Sequence, residues 1–142
     1  MKKLSLLFAA GAFGGFCNVF FGWLFGMLHI TKGLGIQMVV PLVPAVIYRQ
    51  AIWGGIWSLL FLIPILNKRP VWKGVLLSIV PTLAALFIVI PARAKADTSG
   101  LFIGQNAMMG IYMGILTPVF VLVINAIWGI ATALWLKATD KN

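Results

Sequence analysis

The sequence predicts an all-α membrane protein, a single integral membrane domain built as a bundle of four transmembrane helices. Composition is the first indication, because 62% of the 142 residues are hydrophobic and only 9% are charged, which excludes an ordinary soluble domain. The second is that the apolar runs reach the roughly 20 residues that a helix needs to cross a bilayer. The predicted spans are 4–30, 43–66, 71–90 and 110–136.

The first apolar run follows Met-Lys-Lys directly and continues to position 30. It is too long for a secretory signal, so we expect an uncleaved helix. Its glycines recur at spacings of four and seven, which puts them on one helical face, where small residues let backbones approach closely. This helix-packing stripe, which could instead line a ligand site, consists of Gly11, Gly15, Gly22 and Gly26.

Two shorter apolar stretches precede the second and fourth spans. The chain from 33 to 66 is too long for one untilted helix at about 1.5 Å per residue, and a similar excess precedes the fourth span. We therefore expect 33–42 and 101–109 to be interfacial segments, re-entrant segments or helix extensions. Between the third and fourth spans, 91–100 is predicted to be a polar loop. Pro81 is expected to kink the third span, and Pro118 lies inside the predicted fourth span.

The basic residues predict the orientation. The net charge is +9, and the only carboxylate side chains are those of Asp97 and Asp140. Lysine and arginine concentrate on the cytoplasmic side of membrane proteins, so both termini are predicted to be cytoplasmic, in a bacterial inner membrane. This charge also favours membrane lipids over nucleic acid as partners. One predicted side carries Lys2, Lys3, Lys68, Arg69, Lys73, Lys137 and Lys141, and the other carries Lys32, Arg93 and Lys95.

An internal repeat suggests tandem duplication of a two-helix unit. The sequence Ala-Ile-Trp-Gly occurs at 51–54 and again at 126–129, preceded by Gln50 in the first copy and by Asn125 in the second. Both copies follow a predicted outer loop and run back toward the cytoplasm, as parallel repeats about an axis along the membrane normal would. Arg49 has no counterpart, since the aligned residue is Ile124.

Arg49 is the candidate functional residue, because it is a permanent charge inside an apolar run, and such charges are costly at membrane depth. Three interpretations stay open: an anchor that reaches the membrane surface, a salt bridge to Asp97, or a grip on an anion or lipid phosphate. In the last case the other ligand-binding candidates are Gln50, Tyr48 and Lys32, with Asn18 and Asn125 completing a polar interior.

The predicted spans contain no Asp or Glu. This argues against a proton-coupled small multidrug exporter and against calcium or magnesium sites. The single histidine and single cysteine exclude an intrachain bis-histidine haem and an intrachain disulfide, and we predict no metal, no cofactor and no enzymatic activity. Two classes remain: a channel or transporter subunit for a small anionic or polar solute, acting as a homo-oligomer, and a non-transporting protein that binds lipid or packs on a partner through its glycine stripe.

The orientation can be tested with topology reporters fused at three points. Fusions after Lys68 and after Asn142 should report a cytoplasmic location, and a fusion after Asp97 should report a periplasmic one, because of the distribution of basic residues. A periplasmic signal from the fusion after Asn142 would contradict a four-span chain with both termini inside.

Overall fold

The computed structural model describes residues 2–96 and 108–139. All regular secondary structure in these two ranges is helical, which confirms the predicted all-α class. Four helices are long and apolar enough to cross a membrane, so the chain has the architecture of an integral membrane protein. We name them span 1 (Lys2–Met27), span 2 (Pro44–Leu62), span 3 (Pro70–Lys95) and span 4 (Thr117–Thr139).

Span 1 ends at Met27, a few residues before the predicted end at position 30. The chain turns here because His29 adopts a left-handed conformation with φ of 58°, which interrupts right-handed helical geometry. One further helical turn, Ile30–Gly33, follows. Gly35, also at positive φ, then leads into a stretch without regular structure.

Spans 2 and 4 both have proline in the first turn, where its missing N–H is not needed. Span 2 starts at Pro44 and ends in a 3₁₀ segment at Leu62, because Ile63 must be extended before Pro64. Span 4 starts at Thr117 rather than near position 110, since positive φ angles at Met109, Gly110 and Gly114 interrupt the preceding backbone. Pro118 therefore lies in the first turn of this helix and not in its interior.

Span 3 is irregular and longer than predicted. Its first helix, Pro70–Leu77, is separated at Ser78 from Ile79–Ala84, and Pro81 has no N–H to donate to the carbonyl of Leu77. A π-helical segment, Ala85–Val89, follows, and the helix then continues as Ile90–Ala96. The predicted polar loop at 91–100 therefore begins as helix.

The segment 33–42 has little regular secondary structure and packs on the bundle. After Gly33 it has no helical structure until span 2 begins, and the N–H of Gln37 donates to the carbonyl of Met113 at 2.7 Å. Ile36 is buried, and Val40 lies against Gly22 of span 1. The prediction for 101–109 falls outside the described residues, except for 108 and 109, which belong to a short 3₁₀ segment.

The spans are arranged in the order 2-1-4-3. Span 1 packs against spans 2 and 4, span 3 packs against span 4, and spans 2 and 3 meet mainly where the end of span 2 approaches the start of span 3. Glycines make the closest contacts. Gly11 and Gly15 lie against the backbone of span 2, and Gly74 of span 3 lies against Gly129 of span 4, whereas Gly26 has open space around it.

The contact at Gly15 generates a stability prediction. A side chain at Gly15 would collide with the Gln50 carbonyl, so Gly15→Leu should lower the free energy of unfolding by about 1–3 kcal/mol. Gly26→Leu is the matched control on the same helix, because nothing lies near that position. Thermal melting and size-exclusion chromatography in detergent would measure both variants. Equal melting temperatures for Gly15→Leu and Gly26→Leu would show that this contact does not hold spans 1 and 2 together.

Candidate functional site

A chain of side-chain hydrogen bonds connects all four spans near the middle of the bundle. Gln50 of span 2 donates from Nε2 to Oδ1 of Asn18 in span 1, at 3.3 Å. Asn18 donates from Nδ2 to Oδ1 of Asn125 in span 4, at 3.1 Å. Asn125 in turn donates from Nδ2 to Oγ1 of Thr82 in span 3, at 3.1 Å. We call these four residues the amide network.

The interior of the amide network is buried and well satisfied. Asn18 is 4% exposed and Asn125 is 9% exposed. Asn18 also donates to the backbone carbonyl of Ile124 at 2.9 Å, and Thr82 donates to the carbonyl of Ser78 at 2.7 Å. Gln50 is only half-buried and stands at the open end of the network. Because buried amides are costly without partners, these bonds hold the four helices in a defined register.

The amide network forms one wall of a cavity of about 410 Å³, which we call the arginine groove. It arises because spans 2 and 3 pack on spans 1 and 4 rather than on each other, so that a space remains between them. Asn18, Gln50 and Asn125 contribute polar atoms to its lining. Much of the remaining wall is apolar or aromatic, and includes Trp53, Trp57, Met38, Val121, Ile124 and Trp128.

Two arginines face this space from opposite sides. Arg49 comes from span 2 and Arg93 from the final turns of span 3, and both line the groove. Both carry a positive charge, and like charges that line one groove disfavour each other. None of the described lining residues is acidic, and the predicted partner Asp97 lies outside the described residues. Since a guanidinium has five N–H donors and no acceptor, the groove offers positive charge and hydrogen-bond donors together.

Most, but not all, of the predicted ligand-binding residues lie at this groove. Arg49, Gln50, Asn18 and Asn125 are all in its lining. Tyr48 and Lys32 are exposed and do not line it.

Two members of the site, Arg93 and Thr82, stand outside the sequence prediction. The pattern at 91–100 predicts a polar loop, but the helix continues past Arg93. Thr82 gives no signal in the sequence, because a hydroxyl in an apolar run is an ordinary feature of membrane helices. A usable signal for Arg93 was the helix-compatible run that surrounds it, Ala-Arg-Ala-Lys-Ala at 92–96, since alanine, arginine and lysine all favour helix.

Comparisons with known proteins return no relative for this chain: no protein-family model, curated protein or solved structure matches it. In the two described ranges no three His, Cys, Asp or Glu side chains come together as a metal site would require. The chemistry of the arginine groove is therefore the basis for assigning a function. Its donors suit a small anion or a polar solute that accepts hydrogen bonds.

The amide network predicts energetic coupling between spans 1 and 4. Because Asn18 and Asn125 share a buried hydrogen bond, a double-mutant cycle with Asn18→Ala and Asn125→Ala should give a coupling energy of about 1 kcal/mol. The control cycle pairs Asn18→Ala with Asn67→Ala, an amide that bonds Lys73 instead. Denaturant unfolding in micelles would measure both, and additive effects in the first cycle would argue against the bond between the two amides.

Proposed function

We propose that this protein is a subunit of a channel or transporter for a small anionic or polar solute. The observation that carries the proposal is the convergence of Arg49 and Arg93 on one cavity whose described lining residues include no acid. Both side chains are exposed, and a charge at membrane depth usually faces a partner, the membrane surface or a solute pathway. Two positive charges that line one cavity gain from an anion between them, which would offset their repulsion and accept hydrogen bonds from their N–H groups.

The amides of the groove extend the binding surface inward from the arginines. Asn18, Gln50 and Asn125 line the groove beside the guanidinium groups, and amides donate and accept hydrogen bonds as water does. Asn18 already donates both of its amide N–H groups within the network, so the replacement donors for an anion that leaves its hydration shell are the guanidinium groups and the amide of Gln50 at the open end. The volume of about 410 Å³ is within the ordinary range for small-molecule sites, roughly 300–1,000 Å³, so the solute has room to enter with part of its water.

An apolar cluster closes the inner end of the groove. Trp128 lines the groove and also packs on Phe61, with ring centroids 6.0 Å apart. Apolar constrictions can block ions by excluding water, so this closure favours a gated or alternating mechanism over a permanently open pore. The cluster consists of Leu7, Phe61, Leu77, Trp128 and Ala133.

The groove opens sideways between spans 2 and 3, which supports a role for a second copy of the chain. Its rim carries large exposed apolar side chains, including Trp53 and Ile88. Four helices alone leave one side of the groove uncovered, whereas a homodimer that joins these rims would enclose a polar route. In this arrangement the arginines lie toward the periplasm of a bacterial inner membrane, in line with the predicted orientation.

The contacts within each helix pair support the proposed duplication. Gly54 packs on the backbone of span 1, and its counterpart Gly129 packs on the backbone of span 3. Gln50 donates a hydrogen bond to a side chain of span 1, and its counterpart Asn125 donates one to a side chain of span 3. In both pairs the second helix therefore holds the first through corresponding positions, as descent from one ancestral pair would explain.

The alternative is a non-transporting protein that holds a lipid, and the sideways opening is the observation that favours it. A phospholipid beside spans 2 and 3 could present its phosphate to Arg49 and Arg93 without any solute crossing the membrane. The two functions differ in one respect, because only the first requires solute flux.

Flux through reconstituted protein tests the proposal. In liposomes assayed with chloride, nitrate and phosphate as probe anions, Arg49→Lys and Arg93→Lys should each reduce flux about tenfold, because lysine cannot form the two-pronged contact that a guanidinium makes. Arg69→Lys is the matched control, since Arg69 lies at the start of span 3 and outside the groove.

The outcomes separate the two functions. Folded Arg49→Lys and Arg93→Lys variants with parental flux would refute the assignment of the arginines as the selective groups. A parent protein without flux for any probe, whose co-purified phospholipid is lost in both arginine variants, would identify the non-transporting alternative instead.

A further inference from the structure

A second cavity lies at the opposite end of the bundle from the arginines. It has a volume of about 800 Å³ and is lined by residues from both described ends of the chain and from the connection between spans 2 and 3. None of its described lining residues is acidic. We call it the lysine cavity, because it is lined by Lys2, Lys3, Lys68, Lys73 and Lys137.

Lys73 distinguishes this cavity from an ordinary set of surface charges. Its side chain is only 8% exposed, and its ammonium donates to the carbonyl of Phe61 at 3.0 Å and to Oδ1 of Asn67 at 2.8 Å. An ammonium has three N–H donors; beyond these two oxygen acceptors, Nζ lies 5.9 Å from the centroid of the Phe61 ring, so the third donor meets at most a weak π contact. A buried charge normally has an ionic partner, and the described chain supplies none at this cavity.

Most of the remaining lining is apolar, although Asn67 and Thr139 also contribute to it. The large apolar side chains are Leu6, Leu7, Phe61, Leu62 and Leu136. A basic rim above an apolar floor, at the end of a helical bundle, matches the two parts of a phospholipid. The preference of basic residues for one membrane side explains lysines at each helix end. It does not explain their convergence on one cavity, or the burial of Lys73.

We propose that the lysine cavity binds the phosphate group of an anionic phospholipid from the adjacent leaflet, with an acyl chain on the apolar floor. Phosphate supplies the acceptor and the negative charge that Lys73 lacks among its described neighbours. The site is separate from the arginine groove, because the apolar cluster around Phe61 and Trp128 lies between them. The proposal therefore holds whether or not the protein transports a solute.

Native mass spectrometry of the full-length protein in neutral detergent tests this site. The probes are dioctanoyl phosphatidylglycerol and dioctanoyl phosphatidylcholine, which differ in net charge at equal chain length, and inorganic phosphate. The test variant is Lys3→Gln with Lys137→Gln, two exposed residues at the rim. The matched control is Lys32→Gln with Lys95→Gln, which removes the same charge from exposed positions outside the cavity.

The parent should bind phosphatidylglycerol in preference to phosphatidylcholine. The double variant Lys3→Gln with Lys137→Gln should bind phosphatidylglycerol about thirtyfold more weakly than the parent, since each lysine near an anionic headgroup changes affinity about fivefold. The control pair should stay within about twofold of the parent. Equal weakening by both pairs, or no preference between the lipids, would overturn the proposal. Binding of inorganic phosphate as tight as that of phosphatidylglycerol would also overturn it, and would identify free phosphate as the ligand.

Discussion

The structure depends on the chain of hydrogen bonds that runs from Gln50 through Asn18 and Asn125 to Thr82. In a membrane, helices gain little from burying apolar surface against one another, because lipid tails are equally apolar. Polar side chains that lack water must instead find partners on neighbouring helices. Asn18 forms side-chain hydrogen bonds to residues of spans 2 and 4, and Asn125 forms them to residues of spans 1 and 3. These two asparagines thereby make spans 1 and 4 the centre of the bundle and leave spans 2 and 3 apart.

The glycine contacts provide the short distances that this network requires. Asparagine and threonine side chains are short, so the helices that carry them must lie close together. Gly15 lies against the backbone at Gln50, and Gly74 lies against Gly129, which brings each outer helix to its central neighbour. The indole of Trp128 adds a hydrogen bond to the carbonyl of Gly11 at 3.2 Å. The glycine contacts and the side-chain hydrogen bonds therefore depend on each other, because both require the helices to lie at the same short distance.

This arrangement separates the positive charge into two regions. The gap between spans 2 and 3 gathers Arg49 and Arg93, the opposite end gathers the lysines, and the apolar cluster lies between them. Each region gathers positive charge, and none of its described lining residues is acidic, so each is suited to an anionic ligand. The proposed anion route and the proposed lipid site follow from the same shortage of carboxylates in the chain.

The sequence by itself determined the helical class, the four apolar helices and four polar residues of the groove, because these depend on local composition and spacing. Arg49, Gln50, Asn18 and Asn125 stand out as polar groups in apolar runs. Only the tertiary structure decided where span 3 ends and that Arg93 lines the same groove as Arg49, since this depends on how the helices pack against one another. It also decided that Tyr48 and Lys32 lie away from the groove, because the direction of a side chain depends on which neighbours its helix packs against.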